Sequence, residues 1–213
     1  MKIGFHNSIE EISKNEWNSL LNDINYPFLK HDFLQLLENT NCVGAKTGWI
    51  PLHITISKDN SLLAAMPLYL KSHSQGEFVF DHSWANAFYQ HGLDYYPKLV
   101  SSIPHTPASG PRFLIKEGEN KKELFEMIKE GVKNIAAKNN ISSWHILFPM
   151  EEEVDFYDDS NLSIRKNAQF IWFNKNFESF EDYISSFRAR HRKNVKKERD
   201  KIKKQDLILE TFS

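Results

Sequence analysis

The sequence predicts an α/β domain, and three stretches carry that prediction. Leu124, Phe125, Ile128, Val132, Ile135 and Ala136 recur at helical spacing between Lys121 and Lys138. Leu52 to Ser57 and Leu62 to Leu70 are strand-like runs split by the turn signal Lys58-Asp59-Asn60, and Ser143 to Phe148 is a short apolar run closed by Pro149. Strands that alternate with helices along a chain pack as a sheet with helices on its faces.

Taken in order, Lys2 to His6 is a short first strand. Ser8, with Glu11 three residues on, forms a capping-box signal. The helix it opens carries Ile9, Ile12, Trp17, Leu20 and Leu21 on one side and stops before Pro27. A second helix carries Phe28, Phe33, Leu34, Leu36 and Leu37, with His31 and Asp32 facing solvent or capping its first turn. The hairpin follows, and Pro67 in its second run suits an edge or a bulge because proline has no N–H for the ladder. Glu77 to Phe80 reads as a third strand. Beyond the 121–138 helix, Glu151 to Asp158 is a short acidic helix. Leu162 to Asn174 is a long strand, with Gln169, Ile171 and Phe173 on one face and Phe170 and Trp172 on the other.

The last helix runs from Ser179, with Asp182 as capping partner, to about Lys204. Phe180, Ile184, Phe187, His191, Val195 and Ile202 form a narrow apolar seam along it, and basic residues cover the rest. That pattern belongs to a helix laid across a domain surface or between domains. The final LILETFS opens another strand-like pattern, which reads as truncation.

With 213 residues, 40% hydrophobic and 26% charged, the chain suffices for one domain with a full core and an appendage. Its formal net charge of −1 excludes a globally basic nucleic-acid binder, yet residues 188–204 hold ten Lys or Arg against two acidic residues. Cys42 is the one cysteine, so no internal disulfide forms. It lies in a loop-like stretch with no base beside it and reads as an incidental or structural thiol. No leader-like run follows Met1 and no apolar stretch approaches the ~20 residues of a membrane span, so a cytoplasmic location is the expectation. Walker-type, GxGxxG, GxSxG and HExxH motifs are missing, and His73, His82 and His91 lack short ligand spacing, so no metal is expected.

Chemistry-bearing residues crowd between Phe78 and Arg112, where no helical or strand period is clean. Asp81 follows an apolar strand beside His82 and Trp84, the place of a general base at a cleft or of a simple cap for the next turn. Tyr95, Tyr96 and Lys98 offer a general acid, an aromatic wall and an anion contact, or ordinary packing. In IPHTPASGPR, His105, Thr106, Gly110 and Arg112 sit on a rigid loop able to present N–H groups and a guanidinium to a ligand, or merely to join two elements.

The runs AAMPLYLKSHSQGEFVFDHSWANAF, GLDYYPKLVSSIPHTPASGPRFL, WHILFP and RHRKNVKKERDKI resemble the FemAB-like family of N-acyltransferases in the GNAT superfamily, labelled peptidoglycan biosynthesis or recognition. The resemblance covers nearly the whole chain. It implies a GNAT-like mixed sheet flanked by helices as the first of two tandem domains: 1–178 the first, 179–206 a basic junction helix, and 207–213 the opening of the second. It implies transfer of an acyl or aminoacyl group to an amine, with acyl-CoA or aminoacyl-tRNA as co-substrate and no tightly bound cofactor. Asp81 with His82 would deprotonate the amine, the strand edge or the proline-rich loop would hold the oxyanion, and Tyr95 or Tyr96 would protonate the leaving group. An aminoacyl-tRNA donor would bring phosphates to Arg190, Arg192, Lys193, Lys196, Lys197 and Arg199, whereas a solvated linker helix needs none.

Two positions depart from the family pattern. His105 stands where an apolar aromatic is expected, and no glycine has Arg or Gln three positions before it, so the acyl-CoA pyrophosphate loop does not occur. Either that loop belongs to a further half or the donor is not an acyl-CoA. The other class these residues allow is a non-catalytic RNA-binding or envelope-recognition module.

Overall fold

The computed structural model describes residues 1–22, 26–160, 162–166, 168, 170–205 and 207. The chain divides into two compact units, Met1–Ile164 and Arg165–Ser213. No helix among the described residues is long and apolar enough to cross a membrane.

In the first unit, β1 (Lys2–His6) leads to a 3-10 turn at Ile9–Glu11 and then α1 (Lys14–Ser19). The single helix expected here is therefore broken. Ser8 caps the 3-10 turn by accepting from Glu10 N, and Ser13 caps α1 by accepting from Glu16 N, so a second N-cap residue restarts the helix while Ile12 stays extended. After a 3-10 turn at Pro27–Leu29 comes α2 (His31–Asn39). Its His31 is buried rather than solvent-facing, because Nε2 meets the carbonyls of Ile9 and Ile12 at 2.9 and 3.1 Å. The ring thereby ties α2 to the first 3-10 turn.

Next come β2 (Trp49–Pro51), β3 (His53–Lys58), β4 (Ser61–Met66) and β5 (Tyr69–Lys71). β2 and β3 lie along one arm of the expected hairpin and β4 and β5 along the other, pairing β3 with β4 and β2 with β5, and Pro67 divides the second arm. The ladders fall into two four-stranded sheets, β1-β3-β4-β7 and β2-β5-β6-β8, where β6 is Lys98–Ser101, β7 Leu114–Ile115 and β8 Trp144–Ile146. Leu52 N donating to Leu68 O at 2.8 Å carries the hairpin across the break. All pairings are antiparallel except β6 with β8, which is parallel. Between β5 and β6 lies α3 (His82–Gln90); α4 (Lys121–Lys138) precedes β8, and α5 (Glu151–Asp159) follows it.

β4 shows why the fold holds. Its residues are buried on both faces, as a strand between two helical layers must be. Ala64 and Met66 join Leu124, Phe125, Ile128 and Val132 of α4, while Leu62 and Ala65 join Trp17, Leu20, Leu29 and Leu34 under α1 and α2. A mixed α/β unit with sheets flanked by helices is thus what the chain forms. Each large apolar side chain buried in these clusters contributes about 1.5–3 kcal/mol.

Two expected strands do not form ladders. Glu77 to Phe80 leaves the sheet because Phe78 takes a left-handed φ of 56° and Glu77 turns inward to Lys98. The described residues of the 162–174 run, which passes from the first unit into the second, pair with no strand, and Phe170 and Ile171 are exposed. Gln169 and most of LILETFS lie outside the described residues. Ser179 does cap a helix, accepting from Asp182 N at 3.0 Å, but α6 ends at Phe180–Ser185 and α7 (Ala189–Lys203) starts anew. The continuous helix expected from 179 to 204 is therefore two. Arg192 Nη1 donates to Ser185 O at 3.1 Å and the Arg199 guanidinium lies 4.1 Å over the Phe180 ring, so α7 folds back beside α6.

Candidate active site

β5 and β6 are short, and each ends its ladder on a lysine. Lys71 and Lys98 are register partners, so both side chains leave the same face of the antiparallel pair, and both are wholly buried. Two ammonium groups cannot be buried uncompensated. The strap between β5 and α3, residues 72–81, supplies the compensation.

Lys98 Nζ donates to Asp81 Oδ2 at 2.6 Å, Glu77 Oε2 at 2.8 Å and Ser74 Oγ at 2.9 Å, which uses all three of its N–H bonds. Asp81 Oδ2 also accepts from Ser74 Oγ and from Tyr95 OH, each at 2.8 Å. Ser74 has one hydroxyl proton and gives it to Asp81, so the 2.7 Å contact with Tyr96 is a bond donated by the Tyr96 hydroxyl. The result is a hydroxyl chain from half-buried Tyr96 through Ser74 to a buried carboxylate.

The environment separates the two carboxyls. Burial pushes Asp81 up, but bonds from Lys98, Tyr95 and Ser74 outweigh it and hold the group below the usual aspartate value. For Glu77 burial wins over the attraction of Lys98 and raises the carboxyl above its ordinary range. Burial, reinforced by Asp81, drives the Tyr95 phenol far up, so it remains a donor. Burial lowers Lys71 to about 8, with Lys98 adding to the effect and Glu77 opposing it. Lys71 Nζ donates to Gln75 O at 3.1 Å and lies 3.8 Å over the Trp49 ring.

The structure therefore brings Asp81, Tyr95, Tyr96 and Lys98 together. His82 is not with them: it is the first residue of α3 and exposed, while the Asp81 carboxylate points to Lys98 and makes no side-chain cap. The general base expected as an Asp81–His82 pair has no such contact here. Trp84 is on α3, about half exposed.

In the proline-rich loop, the polar groups of His105, Thr106, Gly110 and Arg112 bond within the protein, as in the alternative of a loop that joins two elements. His105 N donates to Gly76 O, Thr106 N to Ile103 O, and Gly110 N to Phe148 O. His105 Nε2 meets Cys42 O, and Thr106 Oγ1 donates to Pro104 O. Arg112 is fully buried; Nε donates to Leu147 O at 2.7 Å, Nη2 to Ala108 O at 2.6 Å and Nη1 to Pro111 O at 3.3 Å. Burial lowers its guanidinium to about 10, so it remains a cation at neutral pH. It clamps the loop to β8 and offers nothing to a ligand in this conformation.

Sequence reasoning missed Lys71, Ser74 and Glu77. A lysine in a strand of otherwise apolar character was the available signal. Gly76 pins the strap: at φ 77° an added Cβ would lie 2.6 Å from His105 Nδ1 and 2.9 Å from Trp49 Nε1. Gly76→Ala is expected to destabilise the first unit by about 1–3 kcal/mol, read as a lower melting temperature; an unchanged melt would contradict this packing.

Of the six cations singled out on α7, Arg190, Lys193, Lys196, Lys197 and Arg199 are exposed and Arg192 is partly buried. The profile of the FemAB-like family, described as peptidoglycan biosynthesis/recognition, matches residues 8–213. The chain belongs to the FemAB-like family.

No curated protein matches this FemAB-like chain. Among solved structures it is similar to aminoglycoside antibiotic 6'-N-acetyltransferase AAC(6')-IG from Acinetobacter haemolyticus, at 12% identity over 84% of this chain and 100% of that one, with TM-score 0.48. It is also similar to ribosomal-protein-alanine N-acetyltransferase from Brucella melitensis biovar Abortus 2308, at 12% identity over 81% and 98% of the two chains, with TM-score 0.48. Both likenesses are loose, and no donor, acceptor or residue role is carried over from either enzyme.

Proposed function

We propose that this FemAB-like protein is an N-acyltransferase that moves an acyl or aminoacyl group from a thioester or aminoacyl-tRNA donor to an amine, acting in the cytoplasm as the first of two GNAT-like halves. Family membership over residues 8–213 supports the reaction class. The observation that carries the assignment of residues is the hydroxyl chain Tyr96–Ser74–Asp81.

Amide formation breaks the bond from the acyl carbon to the sulfur or oxygen of the donor, and the amine loses a proton while the leaving group gains one. Tyr96 is the half-buried end of the chain and is the proton donor to the leaving group, its single O–H turning from Ser74 to that group for the transfer. At rest Ser74 and Asp81 hold the Tyr96 hydroxyl in place, and Tyr95 and Lys98 fix the Asp81 carboxylate. The amine's proton acceptor lies outside this cluster, since Asp81 is held ionised by three donors and is a weak base.

The exposed cations of α7 favour a second reading, an RNA-binding module without chemistry. Competition binding of labelled aminoacyl-tRNA and unlabelled acetyl-CoA at near-physiological salt separates the readings. The enzyme reading expects saturable binding of one donor. If tRNA is that donor, its affinity falls steeply with salt and with alanine at Arg190, Lys196 and Lys197. Saturation by neither donor removes the proposal.

A further inference from the structure

Residues 72–81 are built inside out. Ser74, Glu77 and Asp81 turn their polar groups inward to Lys98, and the Gln75 carbonyl turns inward to Lys71 and to Trp49 Nε1. Phe78 and Phe80 are 56% and 80% exposed. Phe78 also holds a left-handed φ of 56°, a region that aromatic residues disfavour. A segment fixed in this way is held closed mainly by polar bonds, with Val79 packed half-buried against the Val43, Trp49 and Tyr69 cluster.

The two lysines beneath it are unequally provided for. Lys98 has three oxygen acceptors, two of them carboxylates. Lys71 has, among the described residues, one carbonyl oxygen and the face of Trp49. The charged and titratable groups facing Lys71 are Lys98 across the β5–β6 pair and Glu77 and His73 on the strap, with His105 packed behind Trp49. Closure therefore buries an ammonium that water would solvate better.

We infer that the 72–81 strap is a proton-coupled lid, which opens as Lys71 takes up a proton and closes more firmly as Lys71 loses it. Opening uncovers Lys98, Glu77, Asp81 and the inner end of the Tyr96 chain. In water a lysine titrates near about 10.4, and burial lowers Lys71 to about 8 in the closed form. Between those values the open form binds more protons, so closure strengthens as pH rises through this window and is weakest below it. Glu77 shifts in the opposite sense, so a lysine variant is needed to isolate the effect.

The test is amide hydrogen exchange of residues 72–81 between pH 7.0 and 9.5, expressed as protection factors corrected for intrinsic rates, with the amides of α4 as internal reference. Wild type is expected to gain about 25-fold in strap protection relative to α4. Lys71→Met, similar in length and uncharged, is expected to start higher at pH 7.0 and not to rise with pH. Wild-type protection that is flat or falls with pH would overturn the inference without any variant, as would a Lys71→Met course that follows wild type. The readout does not depend on turnover, so failure of the acyltransferase reading would leave it untouched.

Discussion

Lys98→Met is expected to destabilise the first unit by about 3–5 kcal/mol at pH 7. Lys98 is wholly buried and holds Asp81 and Glu77, themselves almost fully buried, through bonds of 2.6 and 2.8 Å. Methionine fills the volume but leaves two carboxylates without their cation and Ser74 without one of its two donors. The deficit has a pH signature. Lys98 favours the ionised form of both carboxyls, so its removal raises both folded-state affinities for protons. The folded variant then binds more protons than the unfolded chain across the carboxylate range, and its stability rises as pH falls. Urea unfolding followed by tryptophan fluorescence should show a gap from wild type that narrows from pH 7 to pH 4.5. A gap independent of pH would mean that the loss is one of packing alone.

Arg112→Ala is expected to lose about 4 kcal/mol, enough to unfold a marginal domain at growth temperature. The guanidinium satisfies the carbonyls of Leu147, Ala108 and Pro111, and its own backbone N–H donates to the buried Glu153 carboxylate. Alanine leaves three carbonyls without this donor and opens a cavity. Arg112→Lys should recover little, because one ammonium cannot span the fork of acceptors that a planar guanidinium meets. A thermal melt decides it, and a lysine variant that melts with wild type would show that charge, not geometry, holds the loop.

These two residues also mark what a reader of the sequence can and cannot see. The periodic stretches were legible because burial imposes their spacing: α4 has the bounds predicted from its apolar repeat, and the hairpin around Asp59 and Asn60 forms where its turn residues stand. Pro67, read as an edge or a bulge within one strand, instead separates β4 from β5, since proline cannot extend a ladder. Boundaries failed where a local polar group competes with the repeat. Ser13 restarts α1, the 186–188 segment separates α6 from α7, and Phe78 turns the chain out of the extended form.

The candidate site was half legible. Asp81, Tyr95, Tyr96 and Lys98 stood out because polar and aromatic side chains crowd a stretch without a period. Which of them meet depends on pairing across β5 and β6, a contact between residues far apart in sequence that composition does not encode. Lys71 and Glu77 entered only with that register, and Arg112 left the list of ligand-facing groups once its three carbonyls were visible.

The most direct test of the central claim is amide formation itself. The protein is incubated with an acyl-CoA or an aminoacyl-tRNA and a panel of primary amines, and the product is followed by mass spectrometry in wild type and Tyr96→Phe. The account predicts donor-dependent, saturable transfer, and a Tyr96→Phe variant that melts like wild type while turning over about 100-fold more slowly. Transfer that proceeds equally well without the Tyr96 hydroxyl would contradict the assigned role, and the lack of transfer from either donor class would contradict the enzyme reading as a whole.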